Sequence, residues 1–363
     1  MRILHVLRGP IGGLFRHVSD MVRGQNALGH DVGVICDSST GGSGAEIALA
    51  KLLPLCSLGI TRLPISVLPN FSDVSAIAKT KNLVNELNVD VLHGHGAKGG
   101  LYARLAGLLT GKKSVYTPHG GSLHYEWLAF PGVLFMSTEW VLRQCTSGFA
   151  FVCDYEKDLF TRKIGVGRVK TNMIHNGLWP EEFKAVKPAK DACDLLFVGE
   201  LCHRKGVDLL IKAIAELKPT HNLSVALVGD GPDMEEYVKL VADLGLQNHV
   251  KFKGRVSIAQ ALPMGKVFIL PSRAESFPYV IVEAIAAHKA TISTRIAGLK
   301  EVLPDTLLYE SESIPALVQK LKDVFDNPPK FEKISQRLSH DAQQNFSAEK
   351  MVKSVTDFYS TLP

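Results

Sequence analysis

Long apolar runs are missing from this chain of 363 residues. Nothing approaches the roughly 18 consecutive apolar residues that a spanning helix needs. The short apolar stretch at residues 1–7 stops at Arg8 and Gly9, so it reads as a first strand rather than a secretory signal. Cysteines are few and scattered: Cys36, Cys56, Cys145, Cys153, Cys193 and Cys202 show no CxxC spacing. That excludes a zinc knuckle and a disulfide framework and makes a reducing cytosol the expected home. No complete GxGxxG follows the first strand and no acidic residue is suitably placed after it, which sets a dinucleotide dehydrogenase aside. The 13 histidines show no ligand spacing of the kind that marks a metal site, so no metal is expected. A basic helix or an aromatic-interleaved basic stripe is also lacking, so nucleic acid is not an expected partner.

What is present is ordinary globular material: 46% hydrophobic and 21% charged residues, at a length that suits about two domains. The net charge of +5 is uneven. Residues 1–180 carry 18 Lys and Arg against 12 Asp and Glu, whereas residues 181–363 carry 23 against 24. A basic first half fits an anionic partner such as a membrane surface, and equally a merely solvated face.

Both halves alternate β-branched runs with helical patterns. In the first, residues 2–7, 30–36, 90–93 and 114–117 read as strands, residues 15–28 as a helix stopped by Gly29, and Gly41-Gly42-Ser43-Gly44 as a loop. After residue 180 the pattern restarts, with strands at 194–198, 224–228 and 266–270 and helices at 207–217, 233–244 and 279–287. Residues 181–191, with flanking and internal proline and mixed charge, read as the linker. The expected fold is α/β: two facing, doubly wound parallel-sheet domains, Rossmann-like, with an interdomain cleft. The first spans residues 1–180 joined by a C-terminal helix at 347–363, and the second spans 181–346. That last helix has apolar spacing at Met351, Val352, Val355 and Phe358.

The most informative stretch runs from Pro271 to Ala284. Pro278 suits a first helical position, which leaves Glu275 in the loop before the helix and Glu283 about a turn and a half inside it. Two carboxylates at different heights can grip different hydroxyls, while the unpaired N–H groups of the first turn suit phosphate oxygens. Polyol plus phosphate means a sugar nucleotide. The bland reading is a carboxylate favouring the helix dipole and a solvated helix residue, yet Glu283 sits within an apolar run where a bare carboxylate is costly. Between Gly199 and Gly206, Arg204 and Lys205 can meet a diphosphate and neutralise a departing nucleotide, or be two exposed loop cations. Gly229-Asp230-Gly231-Pro232 is only a fragment of a phosphate turn.

In the first half, Gly12-Gly13 allows a phosphate or sugar to approach the backbone, or forms a tight turn with no ligand. His93-Gly94-His95 and Thr117-Pro118-His119-Gly120 place histidines at strand ends, with His119 in the better-ordered loop. The apolar stretch at residues 127–136, broken by Pro131 and Gly132, can touch a bilayer or a lipid tail, or pack in a core.

Together these motifs resemble the retaining GT-B glycosyltransferases of the "glycosyl transferases group 1" (family 4) type. The resemblance rests on Gly12-Gly13, Leu28-Gly29-His30, the His-x-His segment, Thr117-Pro118-His119-Gly120, Ile174-His175-Asn176-Gly177, Arg204-Lys205-Gly206, Gly229-Asp230-Gly231-Pro232 and the EX7E pair Glu275 and Glu283. It implies that Glu275 binds donor sugar hydroxyls, that the N–H groups near Ser276, Phe277, Pro278 and Tyr279 hold phosphates, and that Glu283 holds the ribose. Lys205 then sits on the diphosphate, with Gly199 and Gly13 close to the donor and Arg255 near the base. His119 serves the transferred sugar and the acceptor, and Gly12 and His95 the acceptor side. The pattern departs at Glu200, where the family commonly has arginine, so Arg204 is expected to supply the second positive charge. The implied function is retaining hexosyl transfer from a UDP- or GDP-sugar to a glycan or lipid-linked acceptor, as in bacterial lipopolysaccharide, capsule or exopolysaccharide synthesis. No cofactor is needed besides the nucleotide-sugar co-substrate, and peripheral contact with the inner membrane face fits. The alternatives are an epimerase of the same fold and a non-catalytic nucleotide-sugar-binding subunit.

Overall fold

The computed structural model describes residues 1–124, 127 and 132–363, without the side chains of Ser122, His124 and Ala297. The chain divides into two compact units, residues 1–176 with 348–363, and residues 177–347.

The first unit is built on β1 (Arg2–Leu7), β2 (Asp31–Asp37), β3 (Ile60–Leu63), β4 (Val91–His95), β5 (Lys113–Thr117), β6 (Gly148–Phe151) and β7 (Lys170–Met173). These form one sheet in the order β3-β2-β1-β4-β5-β6-β7, parallel at every pairing. The near-continuous apolar runs of β1 and β2 follow from burial on both faces, as a parallel sheet between helices requires. One face packs on the helix Ala348–Thr361, whose Met351, Val352, Val355 and Phe358 join Ile3, Val91, Val115 and Ala150 in a single core cluster.

The second unit repeats the plan with β8 (Cys193–Val198), β9 (Val225–Val228), β10 (Val250–Phe252), β11 (Gly265–Leu270), β12 (Ala290–Thr294) and β13 (Leu308–Tyr309). The order is β10-β9-β8-β11-β12-β13. Each sheet therefore reverses direction once, between β1 and β4 and between β8 and β11. Ligands of open α/β sheets sit outside the carboxyl ends of the strands at such a switch point. In this chain those ends lead into the segments around Gly12, His95, Gly199 and Glu275.

Several local expectations shift. Gly41–Gly44 is not all loop, because the helix Gly42–Leu52 opens at Gly42 after a left-handed Gly41. Gly12 and Gly13 do not precede a helix but form the first turn of Gly12–Ala27, with Gly12 at φ 72°. Pro278 is the N-cap residue, in extended conformation, and Tyr279 is the first helical residue of Tyr279–Ala286. Of the apolar stretch at 127–136, residues 128–131 lie outside the described residues. Its remainder opens the helix Gly132–Leu142, with Met136 buried and Val133 and Leu134 exposed. Among the described residues no helix is long and apolar enough to cross a membrane.

The helix Gly96–Thr110 lies so close to β1 that a Cβ on Gly99 would stand 2.2 Å from the Val6 carbonyl oxygen and 2.9 Å from Leu7 Cα. Neither is a side chain that can swing away. Gly99→Ala should lower stability by about 3 kcal/mol through overpacking. Gly111→Ala, at φ 68° in open space, should cost only about 1 kcal/mol of backbone strain. Urea denaturation of the two variants checks the ranking, and equal midpoints would refute the close approach.

Candidate active site

At the switch point of the second unit, two loops are locked together by backbone contact. Gly206 is left-handed at φ 67°, and a Cβ there would lie 2.1 Å from the Pro271 carbonyl oxygen. The Arg273 N–H donates to the Arg204 carbonyl at 2.8 Å. The Arg273 guanidinium reaches both oxygens of Asp208, at 2.7 and 2.9 Å, and the His203 carbonyl at 2.6 Å. The loop after β8 and the loop after β11 are thus tied to each other.

This clamp places Glu275 under Arg204 and Lys205. Glu275 is 8% exposed; its Oε1 accepts from Lys205 Nζ and, at 2.8 Å, from the Ser272 hydroxyl. Arg204 Nη1 lies 3.7 Å from its other oxygen. Burial alone would raise the carboxyl's pKa, but the charges of Lys205 and Arg204 and these hydrogen bonds outweigh it, so Glu275 is held ionised below its ordinary range. Phe277 is buried edge-on against Phe346 at 5.3 Å between centroids, which fixes the start of the helix. Ser276 and Pro278 are half-buried on the way into it. Tyr279 opens the helix and Glu283, half-buried, is its fifth residue. The Ile281 N–H donates to the Pro278 carbonyl at 3.2 Å, and the helix turns the positive pole of its dipole toward this loop.

The Gly229–Pro232 turn backs the cation loop. A Cβ on Gly229 would meet the Gly199 carbonyl oxygen at 1.8 Å and one on Gly231 the Leu201 carbonyl oxygen at 2.3 Å. Its glycines are thus required by backbone packing against Gly199–Leu201. Gly254 accepts from the Gly229 N–H, which sets the exposed Arg255 beside this turn. Glu200 is exposed and lies 3.8 Å from Arg204. Sequence reading missed Gly298, whose Cβ would lie 1.7 Å from the Ser276 carbonyl oxygen; no motif marks it, because the contact joins two distant loops.

The first unit gathers histidines at its own switch point. His5 on β1 pairs in register with His93 on β4, and His95 ends that strand. His5 Nδ1 is 2.9 Å from His95 Nε2, and His95 Nδ1 is 3.1 Å from His119 Nε2. Behind them the Thr356 hydroxyl donates to the Val352 carbonyl and accepts from Gln25 Nε2. That turns Gln25 Oε1 toward His5 Nε2 at 2.8 Å, so His5 carries its proton on Nε2. Burial lowers the pKa of His5 to about 4 and pushes those of His95 and His119 well below 6.5, so all three are neutral at pH 7. With one proton each, His95 donates from Nε2 to His5, and His119 donates from Nε2 to His95. The chain leaves the lone pair of His119 on Nδ1.

His119 itself has φ 53°, a left-handed conformation costly for a residue with a side chain. The loop is held there by buried Glu156, which accepts from the N–H groups of Gly120 and Val152 at 2.5 and 3.1 Å. His95, expected on the acceptor side, is 1% exposed and stands behind His119, which is only partly buried. Gly12 is exposed, with nothing within 4 Å of where a Cβ would stand. Sequence spacing did not reveal that His5 and His17 join this cluster; only the adjacency of β1 and β4 and the turn of the helix Gly12–Ala27 bring them there.

One switch-point site is cationic over a buried carboxylate and the other is built of neutral imidazoles. Residues 11–182 match the family described as "Glycosyltransferase Family 4" and residues 180–344 match "Glycosyl transferases group 1". The chain is a group 1 glycosyltransferase of the family 4 type. It is 25% identical over 308 residues to the phosphatidylinositol N-acetylglucosaminyltransferase gpi3 subunit of Schizosaccharomyces pombe, covering 81% of this chain and 65% of the relative. The match to glycogen synthase of Mycobacterium tuberculosis is 25% over 370 residues, 93% of this chain and 87% of that one. The chain spans between half and two thirds of the length of the phosphatidylinositol N-acetylglucosaminyltransferase relatives it matches. Among solved structures, Anabaena HepE in complex with UDP-glucose aligns with a TM-score of 0.82 at 20% identity, covering 100% of both chains. Sucrose-phosphate synthase from Thermosynechococcus elongatus aligns at 0.82 and 18% identity, covering 99% and 98%. These likenesses establish the GT-B fold for this glycosyltransferase.

Glu275 should leave a mark on stability. Its folded pKa lies below the ordinary 4.5, so its contribution is full above the unfolded value and is lost as pH falls through the folded one. The urea-midpoint difference between wild type and Glu275→Gln is expected to be constant above about pH 6 and to shrink once the pH drops below about 4.5. A difference independent of pH would show that the carboxylate is not held ionised.

Proposed function

We propose that this glycosyltransferase moves a hexosyl unit, with retention of configuration, from a nucleoside-diphosphate sugar to a lipid-linked or glycan acceptor. The observation that carries the reading is the ionised, buried Glu275 beneath Lys205 and Arg204 at the β8–β11 switch point, beside a helix N-terminus. A carboxylate there can accept from sugar hydroxyls, and two cations with a helix pole can hold a diphosphate. Glu283 takes the ribose, Gly199, Ser276, Phe277 and Tyr279 line the phosphates, and Arg255 stands toward the base. Gly13 stands with the donor's phosphates, Gly12 serves the acceptor, and His119 serves the transferred sugar and the acceptor. UDP is favoured over GDP because HepE, whose fold this chain shares, is described in complex with UDP and with UDP-glucose. A lipid-linked acceptor is supported by the relatives named for phosphatidylinositol glycosylation and by the positive charge of residues 1–180, which also suits peripheral contact with an anionic membrane face.

The chemistry follows from the charges. When the sugar–phosphate bond breaks, negative charge grows on the diphosphate, and Lys205 and Arg204 stabilise it without resident cofactor or metal. Lys205 pairs with Glu275 in the free protein; with donor bound, its ammonium turns to the phosphate while Glu275 takes the sugar. The departing phosphate oxygen accepts the acceptor's hydroxyl proton on the same face, which gives retention.

Calorimetry with UDP-, GDP- and ADP-sugars is expected to show tight binding of a UDP-sugar that Glu283→Ala abolishes. Failure of every donor to bind would overturn the reading. In turnover, Lys205→Ala should reduce kcat by about a hundredfold or more, and Arg204→Ala by a comparable step if it supplies the second charge. An Arg204→Ala enzyme of unchanged kcat would remove that role. The anomeric configuration of the product, read by NMR, decides retention.

A further inference from the structure

Next to the imidazole chain, His17 stands apart. It is 2% exposed, its Nδ1 lies 2.9 Å from Asn176 Oδ1, and its Nε2 is buried without a hydrogen-bond partner. A carboxamide oxygen only accepts, so Nδ1 carries the proton and Nε2 presents a bare lone pair. Its ring lies edge-on to that of His119, centroids 4.8 Å apart, and 5.4 Å from that of His95. The three residues each offer a ring nitrogen, and these nitrogens all lie within 4.8 Å of one another.

We propose that His17, His95 and His119 form a three-imidazole site for a late first-row divalent cation, Zn²⁺ fitting best, and that its occupation takes His119 out of the transfer reaction. Three neutral imidazoles with a fourth position open are a donor set that Zn²⁺ accepts. The ligands close from within 4.8 Å to nitrogen separations of about 3.4 Å around an ion with bonds near 2.05 Å. Two of the three already hold the tautomer that ligation needs. His17 donates Nδ1–H to Asn176 and keeps Nε2 free; His95 donates Nε2–H to His5 and carries its lone pair on Nδ1, where His119 now donates. Outer partners of this kind are what orient metal-binding histidines. Only His119 changes: its proton passes from Nε2 to Nδ1, so Nε2 ligates and no net proton is released. That shift removes the Nδ1 lone pair which His119 presents in the free protein. The neighbouring trio His5, His93 and His95 also brings its nitrogens together, but every ring nitrogen in it is already hydrogen-bonded, so it lacks the unpartnered atom that marks the first.

The inhibitory part rests on the transfer reading; the ion site does not. Untagged protein titrated with Co²⁺, without substrates, is expected to develop the intense visible band of a tetrahedral ion at one equivalent. Zn²⁺ should displace it. His17→Leu, which fills the same space without a ligand, and His119→Gln, on a partly exposed loop, should each abolish the band, while His221→Ala, whose ring pairs with Asp326, should keep it. Asn176→Ala should weaken the ion by about ten- to a hundredfold. Weak octahedral bands, or a band that survives both His17→Leu and His119→Gln, overturn the site. In assays with donor and acceptor, Zn²⁺ is expected to suppress transfer at least tenfold, reversed by a chelator. Full activity of Zn²⁺-loaded enzyme overturns the inhibition, whereas a protein inert in both states counts against the transfer reading and not against the site.

Discussion

A buried carboxylate cannot stay charged without partners, and this requirement at Glu275 organises the second unit's switch point. Removing one partner of such a group costs far more than forming the pair gains, so Lys205, Ser272 and Arg204 must all be held in reach. The clamp by Arg273, with Asp208 on one side and the His203 carbonyl on the other, supplies that rigidity. The glycines at 206, 229, 231 and 298 let backbone meet backbone where any side chain would force the loops apart. Polar groups positioned before a ligand arrives need no reorganisation when charge develops, which is the source of their catalytic value.

The first unit solves the opposite problem. Its polar cluster is kept neutral, because five imidazoles in close contact could not share positive charge in a dry interior. Neutrality makes the array directional. Each ring has one donor and one acceptor, so the orientation fixed at Thr356 and Gln25 propagates through His5 and His95 to His119, four side chains away. The helix Ala348–Thr361, last in the chain, therefore contributes to the state of a ring on the loop after β5. Tyr359 on the same helix also meets His93 at 2.6 Å.

Much of this was legible in sequence, and the boundary is physical. The strands and helices named from apolar periodicity all appear, and the helix over 207–217 came out residue for residue because Gly206 and the amphipathic stripe both mark it; the strands Ile60–Leu63, Gly148–Phe151, Lys170–Met173 and Ala290–Thr294 were not named. Glu275, Lys205 and His119 could be singled out as candidates because local motifs carry them. What escaped is long-range: Glu156, His17, Asn176 and Gly298 act through contacts between segments that only the strand order brings together. Gly12-Gly13 and Pro278 were displaced by a residue or two, since caps and first turns differ by single dihedral angles. The burial of His95 was not visible either, because a strand-end histidine looks exposed until the side chains packed around it are known.

Charge accounting also explains how the cation loop tolerates Glu200. Arg204 lies 3.8 Å from Glu200 and 3.7 Å from Glu275, so Arg204 and Lys205 are balanced by two carboxylates before any donor arrives. The third cation nearby, Arg273, is committed to Asp208 and Glu312. The loop pair is therefore close to neutral and cannot draw in an anionic donor by its field alone. On the proposed function, selectivity for a diphosphate has to come from contact. In the proposed reaction Glu275 exchanges its ammonium partner for sugar hydroxyls, and the charge on Lys205 is freed only when a sugar and a phosphate arrive together. Free phosphate lacks the hydroxyls that would release Lys205, and a free sugar lacks the charge that would engage it. On this argument Glu200 sharpens discrimination against partial ligands at the expense of long-range attraction, which is the trade expected where specificity is set by short-range pairing rather than by net charge.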